Sequence, residues 1–182
     1  KLRSELDIEF EFMNIGGGLG IPYRPDSEKP VSVGTLVGML KKTFAEKLQE
    51  HQLTAAQMPR LYMENGRYMT GPYGWLVTRC RCIKNTYAKY YGVDACMANL
   101  MRPGMYETYH YITVPARQGI PESEHEHANV VGTLCENNDW FAKQRPLPKS
   151  NVGDLFVIHD TGAHAHSMGF QYNGKLRAPE VL

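Results

Sequence analysis

The chain of 182 residues has no apolar run near the roughly 20 residues that a membrane-spanning helix requires, and residues 1–7 lack the apolar centre of a secretory leader. An excess of one charge is missing as well. Lys and Arg number 20 against 19 Asp and Glu, for a formal net charge of +1, and no basic stripe gathers in any segment, which argues against a nucleic-acid partner. Cysteine is scarce: Cys80, Cys82, Cys96 and Cys135 are scattered along the chain. Cys80-x-Cys82, in an apparent strand, turns both thiols to one face, but no second pair completes a zinc site. Reduced thiols in a cytoplasmic protein are therefore expected. His125-x-His127 and His164-x-His166 also lack a third ligand at a recognisable spacing, so solvated or hydrogen-bonded imidazoles are expected in place of a metal centre. Internal repeats, low-complexity tracts and a G-x-G-x-x-G dinucleotide fingerprint are all absent.

What is there has an order. Hydrophobic residues make up 42% of the chain, enough for a real core in one domain or two small ones. Ile8, Phe10 and Phe12 alternate with Glu9 and Glu11, and Met13 and Ile15 extend the apolar content, which predicts a buried strand. It stops at Gly16-Gly17-Gly18-Leu19-Gly20. After a Pro-containing loop, Ser32 is placed to cap a helix bearing Leu36, Val37, Leu40, Phe44 and Leu48 at helical spacing. Leu61-Tyr62-Met63 then predicts a second strand, so that the first 73 residues read as a βαβ piece of a parallel sheet or barrel. From residue 74 to 182 the character is different. Short β-rich runs at 75–83, 108–114, 128–135 and 154–159 are separated by Gly, Pro and Asn clusters. These predict an antiparallel sandwich- or barrel-like sheet without a long helix. Residues 115–126 read as a surface loop, and Asp139-Trp140-Phe141 suggests a short helix.

Several segments could carry chemistry. Glycines where a strand ends allow backbone N–H groups to turn toward an anion with no side chain in the way, though a plain tight loop uses the same residues. Glu64-Asn65-Gly66-Arg67 puts a carboxylate and a guanidinium at the end of the next strand. In one barrel Glu64, Arg67 and the glycine loop would face the same mouth, and in isolation they would be a surface ion pair beside a turn. Arg102-Pro103-Gly104-Met105-Tyr106 offers a second anion-binding arginine, or a turn with an incidental one. Cys135-Glu136-Asn137-Asn138-Asp139 puts a thiol and two acids after an apolar strand, where they could recognise an amine, move protons or cap a helix.

In this order the motifs resemble the C-terminal half of the alanine-racemase-like (fold type III) pyridoxal-phosphate-dependent amino-acid decarboxylases. The glycine loop is followed by Glu-x-Gly-Arg, Arg-Pro-x-x-Tyr, Cys-Glu-x-x-Asp and Thr-Gly-Ala, with Tyr172-Asn173 soon after. Asp94-Ala95-Cys96-Met97, the run from Met101 to Tyr106 and Val131-Gly132-Thr133-Leu134-Cys135-Glu136 look most like the members acting on meso-diaminopimelate. The resemblance implies that the chain is the C-terminal portion of a longer enzyme. It would hold the last βα part of a (β/α)8 barrel (1–73) and most of a β domain (74–182).

It also implies roles. Gly16, Gly17 and Gly18, with Gly66 and Arg67, would hold the phosphate of pyridoxal 5'-phosphate, and Glu64 would pair with its pyridine nitrogen. Arg67 would also face the substrate carboxylate. Arg102 and Tyr106 would grip the distal end of a small amino-acid substrate, giving L-lysine from meso-diaminopimelate. Cys135 and Glu136 would reach the partner subunit's site in a homodimer. There Cys135 would protonate the carbon that loses CO2, and Glu136 would contact substrate. Tyr172 matches a late tyrosine near the phosphate.

The same resemblance leaves room for a decarboxylase of D-lysine, D-ornithine or another diamino acid, and the residues themselves leave room for a β module that binds a partner without catalysis. Two positions depart from the family pattern: Asn65 stands where proline is usual, and His164 where tyrosine is. The family's cofactor-binding lysine lies early in the barrel, and Lys41 and Lys42, on a presumed outer helix, are poor substitutes. The chain alone is expected to be inactive.

Overall fold

The computed structural model describes residues 5–182, so the charged opening of the chain, residues 1–4, lies outside it. Strands β1 (Phe12–Asn14) and β2 (Arg60–Tyr62) pair in parallel, Phe12 opposite Arg60 and Asn14 opposite Tyr62. Parallel neighbours need a crossover, and α1 (Val33–Glu50) lies in it. Ser32 caps α1 as its sequence position predicts. Its backbone is extended and its Oγ accepts the Thr35 N–H at 3.1 Å, satisfying a donor that the first turn would otherwise leave unpaired. Leu36, Leu40, Phe44 and Leu48, four residues apart, form the half-buried stripe of the helix, while Val37 beside them is exposed. The first strand is shorter than its alternation predicts and is not buried. Tyr62 meets Phe12 edge-on, but Ile8, Phe10 and Phe12 stay open to solvent.

The second sheet has six strands in the order β5-β8-β3-β4-β6-β7. They are β3 (Leu76–Asn85), β4 (Lys89–Val93), β5 (Ile112–Thr113), β6 (His125–Val131), β7 (Trp140–Pro148) and β8 (Leu155–Ile158). β3 pairs with β8 through its first half and with β4 through its second, with a bulge between Cys80 and Cys82. Four of these pairings are antiparallel, as predicted, but β4 and β6 run parallel, Tyr90 opposite Asn129. The reason lies in the connection. Between β4 and β6 the chain makes α3 (Arg102–Tyr106) and β5, a path long enough to re-enter the sheet in the same direction.

The loop read at 115–126 is correct as far as Glu124, and β6 begins at His125. The helix read at 139–141 is instead the start of β7. A register shift between Val130 and Val131 on the facing strand accompanies two consecutive inward residues, Phe141 and Ala142. The edges of the sheet approach one another, since Arg145 of β7 donates from Nη1 to the His110 carbonyl, just before β5, at 2.9 Å. The result is a nearly closed, barrel-like sheet.

Its interior holds Tyr91, Phe141, Phe156, Leu100, Ile158 and Val130, all but fully buried. Each large apolar side chain contributes about 1.5–3 kcal/mol by leaving water. Tyr91 and Phe156 meet at a tilt with ring centres 5.3 Å apart, and the Tyr91 hydroxyl is satisfied by Glu126 and by the Ser150 N–H at 3.0 Å. The four cysteines are free, Cys80 and Cys96 buried, Cys82 and Cys135 exposed. Among the described residues no helix is long and apolar enough to cross a membrane.

Candidate active site

The parallel ladder continues past β2 and pins the glycine loop to the segment that follows it. Ile15 N–H bonds the Tyr62 carbonyl at 3.0 Å, and Glu64 N–H bonds the Gly16 carbonyl at 2.8 Å. Gly16 and Gly18 have φ of +74° and +96°, and a Cβ on Gly17 would lie 1.9 Å from the Glu64 carbonyl oxygen, so glycine is required for this approach. Asn14 Oδ1 takes the Gly16 N–H at 2.8 Å while its Nδ2 donates to the Glu64 carboxylate. Asn65 Oδ1 takes the Leu19 N–H at 3.3 Å, so the asparagine found where proline is usual stitches the loop to β2's end. Between these ties the N–H groups of Gly17 and Gly18 have no acceptor among the described residues.

Arg67 stands at the same end, on α2 (Gly66–Thr70), with its Nε buried and without a hydrogen-bond partner. Such a donor costs about 1–3 kcal/mol until an acceptor arrives. Free backbone donors, an orphaned guanidinium N–H and a nearby carboxylate are the groups that could hold an anion with a basic ring beside it. The turn at Thr161 and Gly162 docks onto α2 through Gly162 N–H to the Gly71 carbonyl at 3.0 Å, a contact that a Cβ on Gly162 would block at 1.8 Å from the Thr70 carbonyl. This brings His164 within electrostatic reach of both Arg67 and Arg102. Desolvation first, and the two guanidiniums after it, lower the affinity of His164 for a proton.

Arg102 opens α3 and is buried, with Nη1 2.6 Å from the Tyr23 hydroxyl and 3.2 Å from His110 Nε2. Tyr106, one turn on, is exposed. Burial, reinforced by Arg102 and Arg145, pushes His110 down to about 4. The unfolded chain, with an ordinary value near 6.5, binds this proton more readily than the folded one. Stability is therefore full above about pH 6.5 and falls as pH drops toward 4. The loss is on the order of 3 kcal/mol, since each tenfold change in proton affinity is worth about 1.4 kcal/mol. Urea unfolding at intervals from pH 7.5 to 4.5 should show this slope, and His110→Gln should flatten it. Equal slopes for the two proteins would refute the buried neutral imidazole.

Cys135 and Tyr172 meet elsewhere. The strand leading to Cys135 ends at Val131, and the turn after it is held by Asp139, whose buried carboxylate accepts Leu134 N–H at 2.7 Å and Met97 N–H at 2.6 Å. Burial pushes this acid up, and its duty is structural, not recognition of an amine. Tyr172 donates its hydroxyl to the Cys135 carbonyl at 3.2 Å, and Asn173 Oδ1 takes the Cys135 N–H at 3.1 Å. The thiol itself is exposed, and Glu136 beside it accepts the Asn138 N–H. The predicted residues thus fall into two groups, Gly16–Gly18 with Glu64, Gly66, Arg67, Arg102 and, on the helix of Arg102, Tyr106, and Cys135 with Glu136 and Tyr172.

A model for the C-terminal sheet domain of pyridoxal-dependent decarboxylases matches residues 27–162. The chain belongs to this decarboxylase family. Among its relatives are the protein TabA of Pseudomonas amygdali pv. tabaci, 45% identical over 184 residues, and a diaminopimelate decarboxylase of Methanothermobacter thermautotrophicus, 42% identical over 182 residues. Both alignments cover the whole chain, which spans 41% of the length of each relative. The crystal structure of the M. jannaschii diaminopimelate decarboxylase, also solved with L-lysine, superposes with a TM-score of 0.85. Identity is 36%, over 96% of this chain and 38% of that one.

Within this decarboxylase family member, sequence reasoning missed Tyr23, His110 and Asn14 at the site. A signal for His110 was present: it alternates with Ile112 and Val114, and all three are buried on one side of the segment.

Proposed function

We propose that the protein carrying this chain is a pyridoxal-phosphate-dependent decarboxylase that converts meso-diaminopimelate to L-lysine and CO2. In this reading it is a cytoplasmic homodimer. Residues 1–73 supply the last βα portion of a (β/α)8 barrel and residues 74–182 the sheet domain. The observation that carries the proposal is the glycine loop fastened to Glu64 and Asn65 at the C-terminal end of two parallel strands, with Arg67 just beyond and with donors that no group among the described residues uses. The relatives at 42% and 36% identity that are named diaminopimelate decarboxylases support the choice of substrate.

When bound, pyridoxal phosphate supplies an electron sink into which the substrate's Cα–carboxylate bond can break. The chain's residues provide binding and proton handling. The Gly17 and Gly18 N–H groups, with Gly16 and Gly66 giving room, hold the phosphate together with Arg67. Glu64, fixed by Asn14, holds a proton at the pyridine nitrogen. Arg102 and Tyr106 take the distal carboxylate, and Arg67 also faces the reacting one, while Tyr172 holds the Cys135 carbonyl in place. Cys135, delivered with Glu136 to the partner subunit's site, returns a proton to the carbon that loses CO2.

Arg102 distinguishes the substrates. Its guanidinium has neutral partners only, so a second carboxylate on the substrate completes it, whereas D-lysine or D-ornithine does not. A non-catalytic module has no use for Glu64 beside two unpaired anion donors. The test is CO2 release by the full-length protein with pyridoxal phosphate, against meso-diaminopimelate, D-lysine and D-ornithine. The expected kcat/KM favours meso-diaminopimelate by roughly tenfold or more, the worth of one charge-assisted hydrogen bond. Equal turnover of D-lysine would sink the substrate, and no CO2 from any of them would sink the reaction.

A further inference from the structure

We infer that His110 and Tyr23 are positioning residues, a neutral seat that aims the Arg102 guanidinium while leaving its charge for the substrate. The inference rests on the proposed reading of Arg102 as the group that takes the distal carboxylate. Arg102 Nη1 lies 2.6 Å from the Tyr23 hydroxyl and 3.2 Å from His110 Nε2, so both of its N–H bonds have an acceptor. The His110 ring is fully buried, with Nδ1 2.9 Å from the His159 carbonyl. A carbonyl can only accept, so Nδ1 carries the proton. The lone pair of the neutral ring is then on Nε2, directed at Arg102.

The seat is itself braced. His159 Nε2 is 2.8 Å from Thr113 Oγ1, and the Tyr23 ring meets the His110 ring edge-on at 5.1 Å. The guanidinium carbon also stands 4.9 Å from the centre of the Tyr23 ring. Among the described residues no carboxylate pairs with Arg102, and its Nε and Nη2 have no protein acceptor. This arrangement matters because of what the alternatives would do. A carboxylate in place of either neighbour would quench the cation and compete with the substrate, and a charged imidazole would repel it. Neutral acceptors fix the plane of the fork without lowering its charge, and the planar fork is what a carboxylate reads. Burial keeps His110 neutral in the working pH range.

The test uses the full-length enzyme and two inhibitors: L-lysine, which retains the distal carboxylate of meso-diaminopimelate, and cadaverine, which lacks it. Tyr23→Phe removes one acceptor and little else. It should raise the KM for meso-diaminopimelate and the Ki of L-lysine about 3- to 10-fold, the worth of one hydrogen bond, with a much smaller change in kcat. The Ki of cadaverine should not move. His110→Asn retains a donor toward His159 but withdraws the acceptor from Arg102, and His110→Gln does the reverse. Asn should therefore have the larger effect on KM, and Gln should recover part of it. If Tyr23→Phe and His110→Asn leave KM and the L-lysine Ki within about twofold of wild type while Arg102→Met raises both, the seat is refuted and the reading of Arg102 stands. If Arg102→Met moves neither, that reading fails and the seat with it. A parallel rise in the cadaverine Ki would show general damage and also overturn the inference.

Discussion

Cys135→Ala in the full-length enzyme is expected to lower kcat by about 10²–10⁴, the usual contribution of a positioned general acid or base, with a much smaller change in KM. Loss of CO2 leaves a carbon that must receive a proton on the correct face, and in the proposed reading the thiol gives it. The structure shows why its aim would be reproducible. Asn173 holds the Cys135 N–H, Tyr172 holds its carbonyl, and the buried Asp139 holds Leu134 one residue earlier. The backbone is fixed on both sides while the thiol is left exposed. Because it is exposed, truncation creates no cavity and should leave the melting temperature unchanged within error. In the proposed reading the substrate is held by Arg67 and Arg102, hence the small effect expected on KM. Cys135→Ser, keeping a donor of higher pKa, should fall between the two. A Cys135→Ala enzyme with wild-type kcat would end the assignment of the thiol as proton donor.

How much of this was legible in the sequence depended on whether a local signal existed. The capping serine, the helical stripe from Leu36 to Leu48 and the glycine loop are local, and the structure has them where the sequence places them. The loop's attachment to Glu64 followed from reading two strands as neighbours, a short step when one helix joins them. Strand β7 was lost because Phe141 and Ala142 face inward together. That breaks the alternation by which strands are recognised, and its cause is a register shift on another strand. The parallel pairing of β4 with β6 was invisible for a similar reason, since it depends on where a long connection re-enters the sheet.

The site shows the same division. Motif residues such as Glu64 and Arg67 lie three positions apart and could be picked out together from the sequence. Tyr23 is 79 positions from Arg102, and only the fold brings them together. Asp139 was left open between chemistry and a capping role. As one of two acids beside a thiol it looked chemical, whereas its carboxylate is occupied by two backbone N–H groups.

Arg102→Met should raise the KM for meso-diaminopimelate by about 30-fold or more, the lower end of what losing one partner of a hydrogen-bonded charge pair costs. The effect on kcat should be far smaller, because the distal carboxylate is remote from the bond that breaks, and its binding is common to ground and transition states. Stability should move the other way. Arg102 is buried and has neutral hydrogen-bond partners but no counter-ion, so the fold bears the desolvation of a cation that gains no ion pair from the protein. Methionine fills much of the same space without that burden, and the relief offsets the cost of leaving the buried His110 Nε2 acceptor unpaired. The expected outcome is therefore a protein that melts no lower than wild type and binds its substrate far worse. A residue kept only for the fold would give the reverse. Removing Arg102 also takes away one of the two cations that hold His164 down, so the His164 proton affinity should rise, measurable by NMR titration of its ring. The decisive comparison is again with cadaverine, which offers no carboxylate to Arg102. If Arg102→Met weakens cadaverine as much as L-lysine, or lowers the melting temperature while sparing KM, then Arg102 supports the structure and the distal carboxylate is held by something else.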